Sequence, residues 1–144
     1  MAHEENVCAL VAELRSVFER LEEADEAVRR QLGVTGPLQG VMATLAAGAR
    51  TVPQIARERR VSRQHVQALV TALAARKLCV ALPNPAHARS PLIELTPRGR
   101  AVCDTLIECE QSMMKDLSRV LTADVGTALA VLRRVSAALA RRQA

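Results

Sequence analysis

Residues 51–70 decide the fold, and they read TVPQIARERRVSRQHVQALV. The threonine that opens this stretch is followed three residues later by Gln54, which is the spacing of a capping box at the start of a helix. Pro53 is tolerated there, because the amide hydrogen that it lacks has no intrahelical partner in a first turn. Ser62 offers a second N-cap shortly after the first helix ends near Arg59. The stretch therefore predicts two short helices joined by a tight turn.

Each of the two predicted helices has one apolar face, and the second helix extends to about Lys77. The side chains expected in the core are Ile55, Ala56, Val61, Val66, Leu69, Val70 and Leu73. The side chains then expected on the opposite face of the second helix are Arg63, Gln64, Gln67 and Thr71. Arg and Gln have the reach and the donors to read base edges in a major groove. A solvated polar face is the alternative, but the caps, the spacing and the flanking charge together favour DNA reading.

The positive charge of the chain is concentrated around these two helices. Residues 50–100 contain ten Lys/Arg and two acids, Glu58 and Glu94, a net charge of +8. Residues 1–49 contain four basic and eight acidic residues, a net charge of −4, and residues 101–144 come to +1. A cationic segment of this kind matches the phosphate backbone of duplex DNA. Double-stranded DNA is therefore the expected partner.

The rest of the chain is predicted to be helical apart from two short strands. Apolar periodicity and N-caps place helices at residues 4–32, 35–47, 51–59, 62–77, 96–119 and 122–141, and strands at residues 78–82 and 92–95. The last helix is expected to open at Thr122 together with Asp124. Pro83 and Pro91 flank the loop between the strands and predict a stiff, extended tip. The first and last helices are more apolar than a small central domain can cover, so a partner subunit is expected to bury them.

Residues 33–100 resemble the winged helix-turn-helix of the MarR family of bacterial transcription regulators. The resemblance is carried by TVPQIAR from Thr51, VSRQHVQALV from Val61, and IELTPRG ending at Gly99. The Leu-Thr-x-x-Gly ending of the wing is its most specific part. The order of helices on either side also fits the family, so the resemblance covers nearly the whole chain.

This resemblance implies a mainly α fold in a single chain of residues 1–144. Its winged helix-turn-helix core with a two-stranded β wing would occupy residues 34–100, and its dimerisation helices residues 4–32 and 101–142. A homodimer would place two recognition helices in successive major grooves of a palindromic operator and two wings in the flanking minor grooves. The implied function is a repressor released by a small aromatic or phenolic effector. Phe18 and Met42 are the candidate contacts for that effector.

Each candidate DNA contact has an expected role. Arg63, Gln64 and Gln67 would read the sequence, with Thr71 and the N-cap Ser62 on the same helix. The expected phosphate contacts are Arg57, Arg59, Arg60, Arg98 and Arg100. Arg89 would enter the minor groove of A·T-rich flanks. The family's wing usually carries an Asp two residues before that Arg; here His87 stands there, either as a phosphate donor or as a solvated loop histidine.

Two alternatives remain open at the level of the sequence. The first is a thiol-based redox regulator of the same fold, because some family members sense oxidants through a cysteine in the first helix, where Cys8 lies. Those sensors support the thiolate with tyrosine hydroxyls, and this chain has no Tyr. Apolar packing is therefore favoured for Cys8, Cys79, Cys103 and Cys109. The second alternative is a winged-helix protein-association module without DNA binding, against which the +8 segment argues.

Other classes of protein are disfavoured by missing patterns. His3, His65 and His87 have no ligand-like spacing, and the chain has no C-x-x-C, so neither a metal nor a cofactor is expected. The sequence has no Gly-rich phosphate loop and no nucleophile beside an evident base, which argues against an enzyme. No apolar stretch is long enough for a bilayer, and the acidic start is unlike a signal peptide. We therefore expect no membrane partner and a cytoplasmic location.

Overall fold

The computed structural model describes residues 1–142 of the chain. Within them the elements, in chain order, are α1 (Ala2–Leu32), α2 (Gly36–Ala46), α3 (Val52–Arg59), α4 (Arg63–Ala75), β1 (Cys79–Leu82), β2 (Leu92–Leu95), α5 (Pro97–Val120) and α6 (Val125–Arg142). This order confirms the predicted mainly α fold with a two-stranded wing. The chain divides into two compact units, one of residues 1–107 and one that begins at Glu108. None of the helices described is long and apolar enough to cross a membrane.

The predicted N-caps of the first unit are present. The Thr35 hydroxyl accepts a hydrogen bond from the Leu38 amide at 3.4 Å. At α3 both halves of the capping box form: the Thr51 amide donates to the Gln54 side chain at 2.8 Å, and the Gln54 amide donates to the Thr51 hydroxyl at 3.4 Å. The Ser62 hydroxyl accepts from the His65 amide at 3.1 Å. These caps fix where α2, α3 and α4 begin.

The core of this unit lies among α2, α3, α4 and the wing. The largest fully buried side chains are Met42, Leu45, Ile55, Leu73, Val41 and Val66. The expectation for Val61 is wrong, because its side chain is 39% exposed. Its amide donates to the Ala56 carbonyl oxygen at 3.1 Å, and this bond closes the turn after α3 while the side chain points to solvent.

The turn between α3 and α4 contains a residue in the left-handed region. Arg60 has φ 55° and ψ 43°, and its amide hydrogen-bonds back to the carbonyl oxygens of Ala56 and Arg57. Glycine is the usual residue at such a position, since a Cβ there costs about 1–2 kcal/mol. The chain thus accepts backbone strain at a position where it carries a positive charge.

The wing has three paired segments. β1 and β2 are antiparallel, with Cys79 opposite Leu95 and Leu82 opposite Leu92. On the other edge of β2, Arg50 and Ile93 exchange two backbone hydrogen bonds, of 3.1 Å and 2.8 Å. The wing is therefore attached to the segment that precedes α3.

The Leu-Thr-x-x-Gly ending of the wing forms a close junction with the end of the α4 segment. The Thr96 hydroxyl donates to the Lys77 carbonyl oxygen at 2.7 Å and accepts from the Gly99 amide at 3.0 Å. The Thr96 amide donates to the Leu78 carbonyl oxygen at 3.0 Å. A Cβ on Gly99 would collide with that same carbonyl oxygen. Lys77 has φ 59°, a second non-glycine residue in the left-handed region. The motif thus joins the end of α4, the wing and α5.

The second unit contains the end of α5 and all of α6. Asp124 is the N-cap of α6, and its carboxylate accepts from the Thr127 amide at 3.0 Å. Thr122 was expected to share this role; it lies instead in the turn after α5, where its amide donates to the Val120 carbonyl oxygen. The helix α6 has no buried residue in the part that the structure describes.

Acidification is expected to weaken the start of α6. The hydrogen bonds from Thr127 hold the pKa of Asp124 below its ordinary value. A lowered folded-state pKa means that the cap stabilises the helix above the unfolded-state pKa, and that this contribution disappears as pH falls through the folded-state pKa. Asn caps helices equally well without titrating. Acid titrations followed by circular dichroism should therefore show a larger loss of helix in the wild type than in Asp124→Asn, whereas parallel curves would contradict this role.

Candidate nucleic-acid interface

The helix α4 places the predicted reading side chains on its exposed face. Val66, Val70 and Leu73 face the core, with exposures of 0%, 5% and 0%. The residues on the outward face are Ser62, Arg63, Gln64, Gln67 and Thr71, all of them exposed. The structure thus brings the sequence-predicted readers together on one surface, at the N-terminal two-thirds of the helix.

Two of these side chains are hydrogen-bonded to each other. The Thr71 hydroxyl donates to the backbone carbonyl oxygen of Gln67 at 2.9 Å. The side-chain nitrogen Nε2 of Gln67 lies 3.5 Å from the same hydroxyl oxygen. Sequence spacing places residues four apart on one helix face, but it does not predict this bond, which depends on the rotamers of both side chains.

The arginines of the cationic segment fall into two groups. Both acids of residues 50–100 are engaged, Glu58 with Arg50 at 3.1 Å and Glu94 with Arg100 at 3.0 Å. The predicted phosphate contacts without an ion pair among residues 1–142 are Arg57, Arg59, Arg60 and Arg98, and all four are exposed. Arg100 is therefore the one predicted phosphate contact whose charge is partly neutralised by an ion pair within residues 1–142.

Arg59 makes a contact that the sequence does not reveal. Its guanidinium lies directly over Gly40 of α2, where any added Cβ would overlap it. The side chain therefore extends from the last turn of α3 across α2. Only the pairing of the two helices in three dimensions brings Gly40 and Arg59 together, so no local sequence signal marks it.

The loop at the tip of the wing is a folded turn, and the expectation of an extended tip is wrong. The Asn84 side chain donates to the Ser90 carbonyl oxygen at 2.8 Å and accepts from the Ala86 amide at 3.1 Å. The His87 amide donates to the Asn84 carbonyl oxygen at 3.1 Å. Asn next to Pro is a common turn signal, and it is the feature that could have indicated this turn. His87 and Arg89 are exposed on it.

A groove of about 440 Å³ lies between α4 and the wing. Its lining residues are Val52, Pro53, Gln67, Val70, Thr71, Ala74, Ala81, Arg89, Ser90, Pro91 and Ile93. The groove places the wing residue Arg89 on the same surface as Gln67 and Thr71. The predicted minor-groove residue and two of the predicted major-groove residues thus share one face of the first unit.

The candidate effector and sensor residues lie apart from this face. Phe18 is 64% exposed on α1, whereas Met42 is 0% exposed in the core. The apolar packing expected for the cysteines is seen at Cys79 and Cys103, which are buried, while Cys8 is exposed in the single chain. No group of three metal-ligating side chains occurs within the described range 1–142.

The two buried thiols are expected to be unreactive. Burial raises the pKa of Cys79, and burial together with the nearby Asp104 raises that of Cys103 despite Arg100. Since the thiolate is the reactive form, alkylation of both in the native protein at neutral pH should be at least about tenfold slower than in the unfolded chain. Mass spectrometry after iodoacetamide labelling, with and without guanidinium, measures this ratio for each cysteine. Equal rates in the two conditions would contradict the buried placement.

Comparison with known proteins gives relatives for both sequence and fold. An uncharacterized protein of Mycobacterium tuberculosis is 33% identical over 104 residues, which are 72% of this chain and 73% of that protein. No family model matches the sequence. Among solved structures, a MarR family transcription regulator has a TM-score of 0.77 at 25% identity, covering 98% of this chain and 93% of the other.

Two further solved structures share the fold at lower identity. The YusO protein of Bacillus subtilis has a TM-score of 0.74 at 19% identity and covers 96% of each chain. MepR of S. aureus, solved as a complex with DNA, has a TM-score of 0.75 at 19% identity, covering 87% of this chain and 96% of that one. The chain therefore belongs to one family with the mycobacterial protein, and its fold is that of the MarR family of winged helix-turn-helix transcription regulators.

Proposed function

We propose that this chain is a sequence-specific DNA-binding transcriptional regulator that acts as a homodimer. The observation that carries the proposal is the exposed polar face of α4, which shares a groove with Arg89 of the wing. This face follows directly on Arg57, Arg59 and Arg60, which are exposed and make no ion pair within residues 1–142. A fold neighbour, S. aureus MepR, has been solved with DNA. The surface has the positive charge, the donors and the helix presentation that duplex binding requires.

The residues divide into sequence readers and phosphate contacts. The proposed readers are Arg63, Gln64 and Gln67 for base edges of the major groove, and Arg89 for the minor groove. The proposed phosphate contacts are Arg57, Arg59, Arg60 and Arg98, with Arg100 weakened by its pairing with Glu94 and His87 as a further donor from the wing. Phosphate contacts supply affinity that is independent of sequence, whereas the readers supply discrimination.

Exposed apolar side chains on the terminal helices support the homodimer. On α1 they include Val7, Val11, Val17 and Phe18, with exposures of 36–64%. On α6 they include Val125, Leu129, Leu132 and Leu139, with exposures of 37–54%. Burying such side chains stabilises an assembly by about 25 cal/mol per Å² of apolar surface. We propose that a second copy of the chain covers them and thereby sets the separation of the two recognition helices.

Control of this separation is the proposed mechanism of regulation. Both recognition helices dock only when their separation matches half-sites about 34–36 Å apart. As a repressor, the dimer would occupy its operator until a small aromatic or phenolic effector changed that distance. Phe18 is exposed in the single chain and would contact such an effector where the two copies meet, whereas Met42 is reached only by opening the core.

Selection from a library of random duplexes tests the proposed function. The full chain should enrich an inverted repeat whose half-site centres lie about one helical turn apart. A single half-site without a repeat would contradict the proposed dimer. No enriched sequence at all would instead favour the protein-association alternative.

The thiol-based alternative has one supporting observation, which is the exposure of Cys8. If Cys8 is a sensor, peroxide should release the selected operator from the wild type but not from Cys8→Ser. Equal release from both proteins would remove this alternative.

A further inference from the structure

The Gln67 and Thr71 side chains form a small unit on the exposed face of α4. The Thr71 hydroxyl oxygen lies 2.9 Å from the backbone carbonyl oxygen of Gln67 and 3.5 Å from the side-chain nitrogen Nε2 of the same residue. A hydroxyl has one proton and two lone pairs. The shorter contact joins two oxygens, so the proton must lie between them. Towards the Gln67 side chain, the hydroxyl is therefore an acceptor only.

This acceptor determines which way the Gln67 amide is turned. With Nε2 towards Thr71, a side-chain N–H meets a lone pair. In the flipped orientation, Oε1 would meet the same lone pair with no proton between the two oxygens. The network therefore selects one of the two amide orientations. Oε1 and the second N–H of Nε2 remain available to a partner outside the helix.

The remaining donor and acceptor match one base. The major-groove edge of adenine presents N7 as an acceptor beside the N6 amino group as a donor. The available N–H of Gln67 can donate to N7 while Oε1 accepts from N6. Guanine presents two acceptors, N7 and O6, so Oε1 would face an oxygen there. An amide held in this orientation favours adenine over guanine.

We propose that Thr71 is a positioning residue that orients Gln67 to select adenine, and that it makes no base contact itself. This inference rests on the proposed DNA binding of the α4 face. It assigns to Thr71 a role in specificity exerted through Gln67, rather than a share in direct readout.

Matched substitutions at position 71 test the proposal on the duplex that the wild type selects. Gln67→Ala first identifies the base pair that Gln67 reads, as the position where preference for adenine is lost. Thr71→Val keeps the side-chain shape and removes the hydroxyl; it should lower the discrimination of adenine against guanine at that base pair by about 3- to 10-fold. Thr71→Ser keeps the hydroxyl and should retain most of the discrimination. Affinity for random duplex should be the same in the wild type, Thr71→Val and Thr71→Ser.

Thr105→Val is the control for loss of a helical hydroxyl bond as such. The Thr105 hydroxyl donates to the Ala101 carbonyl oxygen at 3.0 Å on α5, in the same i to i−4 geometry. Its substitution should leave discrimination unchanged. Unchanged discrimination in Thr71→Val would overturn the proposal, and so would a loss confined to a base pair that Gln67→Ala does not affect. Failure of the proposed function itself would appear earlier, as a wild type that enriches no sequence.

Discussion

Gly99→Ala is expected to destabilise the protein by about 3 kcal/mol, because overpacking against the backbone cannot be relieved by a side-chain rotation. The added Cβ would collide with the Leu78 carbonyl oxygen. That oxygen accepts a hydrogen bond from the Thr96 amide at 3.0 Å, so moving it away from the added Cβ would also break this hydrogen bond. Urea unfolding followed by circular dichroism measures the loss.

Gly36→Ala is the matched control. Gly36 lies in the first turn of α2, its φ is outside the left-handed region, and a Cβ there would meet nothing within 4 Å. The free energy of unfolding of the Gly36→Ala protein should stay within about 0.5 kcal/mol of the wild-type value, as for most substitutions of exposed residues. If Gly99→Ala is no less stable than Gly36→Ala, the close approach at the junction is not present in solution.

Arg63→Ala is expected to cost about 1–3 kcal/mol of binding free energy on the selected operator and to relax preference at one base pair. Arg63 lies in the first turn of α4, which is the part of a recognition helix that reaches furthest into the major groove. Its side chain is exposed and makes no ion pair within residues 1–142, so its removal should leave the fold intact. Fluorescence anisotropy with single-base operator variants measures both effects.

Arg98→Ala provides the comparison for Arg63→Ala. As a proposed phosphate contact, Arg98 should contribute equally to every sequence, and its loss should reduce the magnitude of the salt slope by about 1 without changing base preference. The assignment of roles would be wrong if Arg98→Ala altered preference at one base pair and Arg63→Ala weakened all duplexes alike.

Local chemistry explains why much of the fold was predictable. The capping box of Thr51 and Gln54, the N-cap Ser62 and the apolar face of α4 act within a few residues, so spacing alone reveals them. The outward face of α4 then follows from the buried one. For these reasons the sequence alone predicts which side chains lie on this face.

The features that were missed depend on contacts between distant segments or on rotamers. The bridge between Arg50 and Ile93 joins residues 43 positions apart, and no local pattern encodes it. The contact of Arg59 with Gly40 needs two helices to be packed first. The ion pair of Arg100 with Glu94 depends on how the first turn of α5 is oriented relative to β2. Val61 was misplaced because the turn, and not helical periodicity, sets its direction.

The most direct test of the central claim is the salt dependence of binding to the selected operator and to random duplex. If the cationic face contacts several phosphates, the logarithm of the association constant should fall by about 0.9 per phosphate for each unit of log salt on both duplexes. The operator should bind at least about 10³-fold tighter than random duplex at physiological salt. Affinity that is independent of salt, or equal for the two duplexes, would contradict the assignment of α4 and its flanking arginines as a sequence-reading surface.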